Sequence, residues 1–221
     1  MNKLFTTIFA LAVSSVTMAS VAQEIKGDEK AGQTKNAMCI GCHGIKGYQS
    51  SFPEVYKVPK ISGQNASYIS AALHAYRKGE RKHPTMRNLS DSLTDQDIAD
   101  LAAYYSKHGV VAGEEAPAKP AKEASAEVQA LLNKANCASC HGANFNKPID
   151  PSYPKIAGQH ADYLFVALKA YKTDNNAKIG RAHPIMGAMA KQYTNAELKA
   201  MSGYLASLPG DLKVVSESRF R

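Results

Sequence analysis

Apolar residues along the chain recur with the 3.6-residue period of helices, and nowhere with the period of two that marks a half-buried strand. Between Ala66 and Lys78, Ile69, Ala72, Leu73 and Tyr76 fall on one helical face. Thr94-x-x-Asp97 and Thr194-x-x-Glu197 set a hydroxyl three residues before a carboxylate, ahead of an apolar run. That is a capping box, and it predicts a helix in each half, closing near Gly109 and near Pro209-Gly210. Two earlier helices are expected over roughly Asp28 to Ala37 and Ser125 to Asn136, each running into a cysteine-bearing turn. The pattern predicts an all-α protein.

The first residues follow a different logic. Lys3 precedes a mostly apolar run from Leu4 to Val16, and Ser20-Val21-Ala22 puts small residues where a signal peptidase reads. Residues 1–22 are therefore expected to be a signal peptide cleaved after Ala22, with an uncleaved anchor as the alternative. The run is too short for a transmembrane helix and no later stretch approaches one. The mature chain is expected to be exported and soluble.

Beyond the signal the sequence is written twice. His43 matches His141, and Pro59-Lys60-Ile61-Ser62-Gly63-Gln64 matches Pro154-Lys155-Ile156-Ala157-Gly158-Gln159. Tyr68 and Tyr76 match Tyr163 and Tyr171; after five extra residues in the second half, His83-Pro84-Thr85-Met86 matches His183-Pro184-Ile185-Met186. Ala112 to Lys122, rich in Ala, Pro, Glu and Lys, reads as a semi-extended linker. The expected division is 23–112 for the first domain, 113–124 for the linker and 125–221 for the second domain.

All four cysteines lie in two copies of one motif, Cys39-Ile40-Gly41-Cys42-His43 and Cys137-Ala138-Ser139-Cys140-His141. This C-x-x-C-H spacing is that of covalent haem c attachment. Two thiols reach the two vinyl groups on one haem edge, and the following histidine is carried beneath the ring to bind iron. A thioredoxin-like pair would sit in a βαβ setting, and a four-cysteine zinc ribbon has its knuckles much closer together. The expected cofactors are two haem c groups, held by Cys39, Cys42 and His43 and by Cys137, Cys140 and His141. Each unit is small enough that its apolar core alone would be marginal, and a haem would complete it.

The second iron ligand must come from the opposite side of each ring. His83 and His183 occupy equivalent positions, as do Met86 and Met186. Met86 and Met186 are taken as the ligands, on loops that each precede a capped helix. His83 and His183, each before a proline, read as surface or propionate-side groups. Met189 aligns with Leu89 and is expected to pack as an apolar residue. Histidine–methionine ligation raises the potential and leaves no open coordination position, which suits electron transfer rather than substrate activation.

The paired C-x-x-C-H motifs, the two P-K-I-[S/A]-G-Q stretches and the two distal methionines together resemble cytochrome c4 over essentially the whole mature chain. The resemblance implies two tandem cytochrome c-like domains, each wrapped around one haem, with the haems facing one another across an interface. It implies a periplasmic carrier taking electrons from the respiratory chain to a membrane terminal oxidase, its donor a quinol-oxidising complex or a dehydrogenase. It further implies that a proline carbonyl steadies each proximal histidine, at Pro59 and Pro154. The alternatives are the cytochrome subunit of a larger exported dehydrogenase or sulfur-oxidising complex, and a di-haem peroxidase.

Charge refines the partner. Lys and Arg number 27 against 19 acids, for a net +8. The excess is spread over both halves, so no basic arm points to nucleic acid, and an acidic protein or an anionic membrane surface is the expected partner of a monomer. Arg77, Lys78, Arg81, Lys82 and Arg87 cluster in sequence around Met86, and Lys169, Lys172, Lys178 and Arg181 precede Met186. These read either as a docking surface or as counter-charges for haem propionates.

Overall fold

Among the described residues six of ten helices start at a side-chain cap, the first, fourth and fifth in each of two similar series. The computed structural model describes residues 25–217, so the expected signal peptide, residues 1–22, lies outside the described residues. In the first series Asp28 caps α1 (Glu29–Lys35), accepting from the Ala31 N–H at 2.8 Å. Next come α2 (Ala37–His43), α3 (Ala66–Arg77), α4 (Pro84–Asp91) and α5 (Asp95–Lys107). The second series repeats the order as α6 (Ala126–Lys134), α7 (Cys137–His141), α8 (Ala161–Tyr171), α9 (Pro184–Lys191) and α10 (Asn195–Ser207). Both expected capping boxes are formed, Thr94 with Asp97 and Thr194 with Glu197. They satisfy backbone N–H groups that a helix start leaves open.

The first and last helices of the first half touch backbone to backbone. A Cβ at Gly32 would lie 2.1 Å from the Asp100 carbonyl oxygen, so α1 approaches α5 only because that residue is glycine. The buried Asp100 carboxylate locks the crossing. It accepts from Lys35 Nζ at 2.6 Å, from the Asp28 N–H at 2.8 Å and from Gln96 Nε2 at 2.7 Å. Each half has its own core. Ile69, Leu101, Ala102, Tyr104 and Tyr105 form the first, with Cys39 packed against it; Leu132, Leu164, Leu198, Met201 and Leu205 are the centre of a larger second, bordered by Cys137.

Among the described residues four two-residue strands depart from the expectation of helices alone, although the protein remains mostly helical. β1 (Gln49–Ser50) pairs with β2 (Tyr56–Lys57), and β3 (Arg81–Lys82) pairs with β4 (Gly180–Arg181). Two residues are too few to leave a period in the sequence. The β3–β4 pair also joins the two halves, setting Arg81 opposite its repeat counterpart Arg181. Pairing of equivalent residues is the mark of a local two-fold axis.

The P-K-I-x-G-Q stretches obey the same symmetry. Lys60 N–H donates to Gln159 Oε1 at 3.0 Å, while Lys155 N–H donates to Gln64 Oε1 at 2.9 Å. The return bonds run from Gln159 Nε2 to the Lys60 carbonyl at 2.8 Å and from Gln64 Nε2 to the Lys155 carbonyl at 3.0 Å. Residues 113–124 carry no helix or strand and are pinned to the second half. The Ala116 N–H bonds Asp211, and Asn144 bonds the Pro117 carbonyl. After α10 the chain returns to the first half. Lys213 bridges Ser62, Ser216 Oγ donates to the Gly44 carbonyl at 2.7 Å, and Glu217 accepts from Asn36 Nδ2 at 2.8 Å and from the Tyr104 hydroxyl.

Candidate haem sites

Each C-x-x-C-H motif is wound into a short helix, α2 in the first half and α7 in the second. One helical turn places the two thiols along one side and the histidine at the end. All four thiols are free and half-buried, and none is in a disulfide. Burial beside the core pushes the Cys39 thiol up to about 11, with a smaller contribution from nearby Cys42.

The histidines are fixed from behind. His43 Nδ1 lies 2.8 Å from the Pro59 carbonyl oxygen, and His141 Nδ1 lies 3.1 Å from that of Pro154. A carbonyl only accepts, so each Nδ1 must carry the proton and each Nε2 must present a lone pair. Burial lowers both imidazole pKa values against the smaller opposing pull of the proline carbonyls, and the rings stay neutral. This is the state in which imidazole binds a metal, with the carbonyl in the orienting role. The contacts expected at Pro59 and Pro154 are present.

The methionines are placed differently from the expectation. Met86 and Met186 lie in the first turns of α4 and α9 rather than on loops. His83 and His183 cap those helices, Nδ1 accepting from the Met86 N–H at 3.4 Å and from the Met186 N–H at 3.2 Å, with proline at the first helical position. Proline fits there because its missing N–H would be unpaired anyway. The histidines thus hold the methionine-bearing turns in place. His183 is exposed; His83 is half-buried, with its Nε2 buried and unpartnered. Met86 and Met186 are half-buried, and so is Met189, one turn along the same face of α9.

Several of the basic residues that looked like a docking surface are committed elsewhere. Arg77 pairs with Asp95, Arg87 with Asp91 and Lys169 with Glu54, and Lys172 donates to the Tyr193 carbonyl. Arg81 and Arg181 meet between the halves. Arg81 donates to the Tyr68 hydroxyl at 2.9 Å and lies over the Tyr68 and Tyr76 rings; Arg181 does the same with Tyr163 at 3.1 Å and with the Tyr163 and Tyr171 rings.

No carboxylate pairs with either arginine among the described residues. Two opposed guanidinium groups call for anions, a charge that haem propionates would supply. Thiol pairs, neutral imidazoles with Nε2 available, methionines on capped turns and acid-free arginines make a donor set that fits two haems.

The cytochrome c family model matches residues 29–108 and 125–209, one copy on each half. The cytochrome c4 of Pseudomonas aeruginosa is 30% identical over 94% of this chain and 100% of its own length.

The chain belongs to the cytochrome c4 family.

Its fold agrees with the crystal structure of reduced cytochrome c4 from Pseudomonas stutzeri, at 28% identity and a TM-score of 0.58, over 83% of this chain and 100% of that one. A thiosulfate dehydrogenase electron acceptor from Thiomonas intermedia is 28% identical over 78% of this chain and 79% of its own length. As a cytochrome c4 the protein carries two covalently bound haem c groups, one in each half, and is an electron carrier. Among the described residues no helix is long and apolar enough to cross a membrane.

The sequence located the cysteines and histidines. It missed His83 and His183 as caps, although their place one residue before a helix-starting proline was available as a signal. It also missed the pairing of Arg81 with Arg181.

Proposed function

We propose that the protein is a periplasmic one-electron carrier, not an enzyme, with an identified set of ligands for each haem. Cys39 and Cys42 form the thioethers of the first haem, and His43 and Met86 ligate its iron. Cys137, Cys140, His141 and Met186 do the same for the second. The domains are 23–112 and 125–221, joined by residues 113–124, with residues 1–22 removed on export.

The observation that carries this reading is the pair of Nδ1 contacts to Pro59 and Pro154, which leaves Nε2 of both histidines ready for iron. The haem supplies reversible one-electron exchange at iron. Pro59 and Pro154 would orient the imidazoles, and Met86 and Met186 would supply the second ligand of each iron. Methionine on a histidine-bound iron keeps the potential high and leaves no position for a substrate. Arg81 and Arg181 would offset the charge of the haem propionates.

The protein is a monomer that delivers electrons to a membrane terminal oxidase. A second reading, acceptor for an exported dehydrogenase, is favoured by the similarity to the thiosulfate dehydrogenase electron acceptor. Two assays test this. Acidic acetone should leave two haems on each denatured chain; extraction of haem, or one haem per chain by mass, would refute the attachment sites. Reduced protein should be reoxidised by membranes of the same cell in a cyanide-sensitive way. Failure there, with rapid reduction by an exported dehydrogenase and its substrate, selects the second reading.

A further inference from the structure

Two peptide groups in this protein are each shared between the halves. The peptide joining Pro59 to Lys60 accepts at its oxygen from His43 Nδ1–H, at 2.8 Å, and donates through its N–H to Gln159 Oε1, at 3.0 Å. The peptide joining Pro154 to Lys155 accepts from His141 Nδ1–H at 3.1 Å and donates to Gln64 Oε1 at 2.9 Å. Each proximal histidine is thus connected, through one amide, to a glutamine of the other half.

Both glutamines are built into the interface, each only 4% exposed. Their orientation is fixed by further bonds. The next backbone N–H in the chain, of Asn65 or of His160, also donates to Oε1 at 3.0 Å, while Nε2 donates back to the lysine carbonyl. An amide turned the other way would set donor against donor.

Hydrogen bonds in series strengthen one another. A peptide that donates through N–H draws its nitrogen lone pair further into the amide, and its oxygen becomes a better acceptor, by on the order of 10–30% per bond. A better acceptor on Nδ1–H gives the imidazole more basic character, which favours ferric over ferrous iron at Nε2.

We propose that Gln159 is a positioning residue that tunes the haem of the first half, and Gln64 one that tunes the haem of the second, each acting across the interface through the Pro–Lys peptide. The proposal rests on the reading of His43 and His141 as iron ligands. It makes each potential a property of the docked pair of domains, so separating the halves would raise both.

The test uses the complete di-haem protein and the variants Gln159→Met and Gln64→Met, which keep the volume and remove the bonds. Potentials are resolved for each haem by redox titration followed by NMR. Gln159→Met should raise the potential of the first haem and leave the second unchanged; Gln64→Met should do the reverse. In the reduced, diamagnetic protein the Nδ1–H resonance of His43 should move to lower frequency in Gln159→Met, while that of His141 stays in place. Shifts in the same half as the substitution, equal shifts in both haems, or no shift in either would overturn the proposal.

If the methionine variants fail to assemble, Gln159→Glu and Gln64→Glu are read instead. A stronger acceptor on the same N–H should lower the opposite haem's potential, and any other pattern overturns the relay. Failure of the ligand reading is separable, because it shows in the unsubstituted ferric protein. There the His43 and His141 ring protons would lack paramagnetic shifts, and the relay would fall with the ligands. With those shifts present, a failed crossed pattern removes the relay alone.

Discussion

Met186 and Met189 lie one helical turn apart on α9, and the repeat distinguishes them. Met186 has the same histidine cap and proline as Met86, whereas Met189 stands where the first half has Leu89. Met189→Leu should keep the thioether-to-iron charge-transfer band of the oxidised protein and cost less than about 1.5 kcal/mol in chemical denaturation, as volume-conserving exchanges do. Met186→Leu should abolish half of that band and lower one potential only. Loss of the band in Met189→Leu instead would show that the five extra residues of the second half had shifted the register. His83→Ala removes a helix cap and should cost about 1 kcal/mol, read by denaturation of the first half. The cysteines and the histidines that follow them were legible in the sequence because haem attachment fixes their spacing; the methionines were read from the repeat alone. The caps were not, because histidine is outside the usual set of N-cap residues and the turn was read as a loop.

At the scale of elements, the α1–α5 crossing carries a titratable network. Asp100 is held below the ordinary carboxylate range. Burial opposes ionisation there, but the bonds from Lys35, the Asp28 N–H and Gln96 together outweigh it. Asp97 is lowered in the same direction, by Lys35 first and then by Thr94. A carboxylate with a depressed folded pKa stabilises the protein above its unfolded value. That contribution is lost as pH falls through the folded value, so the stability of the first half should drop below about pH 4. Asp100→Asn should remove about 2 kcal/mol at neutral pH, the size of a hydrogen bond to a charged group. It should also flatten the acid limb of a stability profile followed by circular dichroism; an unchanged limb would assign the acid sensitivity elsewhere. The capping boxes at Thr94 and Thr194 were visible as a short-range pattern. The β3–β4 pair was not, since its partner strand is supplied only when the halves dock.

Across the whole molecule, the repeat predicted two similar domains but said nothing of how they face each other. Arg81 and Arg181 looked like members of basic clusters near the methionines because a lone charge in a sequence is solvated by default. Their positions opposite one another emerge only from the two-fold arrangement. The same holds for the two P-K-I-x-G-Q stretches, whose glutamines reach across to the other copy's lysine backbone. Removing residues 213–217 should leave both haems attached but loosen the first half. It should then unfold at lower denaturant than the first half of the intact protein; unchanged unfolding would show that the tail bonds contribute nothing.

That tail has a consequence for biosynthesis. Ser216 and Glu217 bond Gly44 and Asn36, which flank the first haem-binding helix at either end. They are also made after all of the first half. The half of the chain that leaves the ribosome first therefore waits on the second for these bonds. Until residues 216 and 217 are in place its cysteine helix lacks these two clasps, and haem addition to Cys39 and Cys42 can proceed on a segment that is still open.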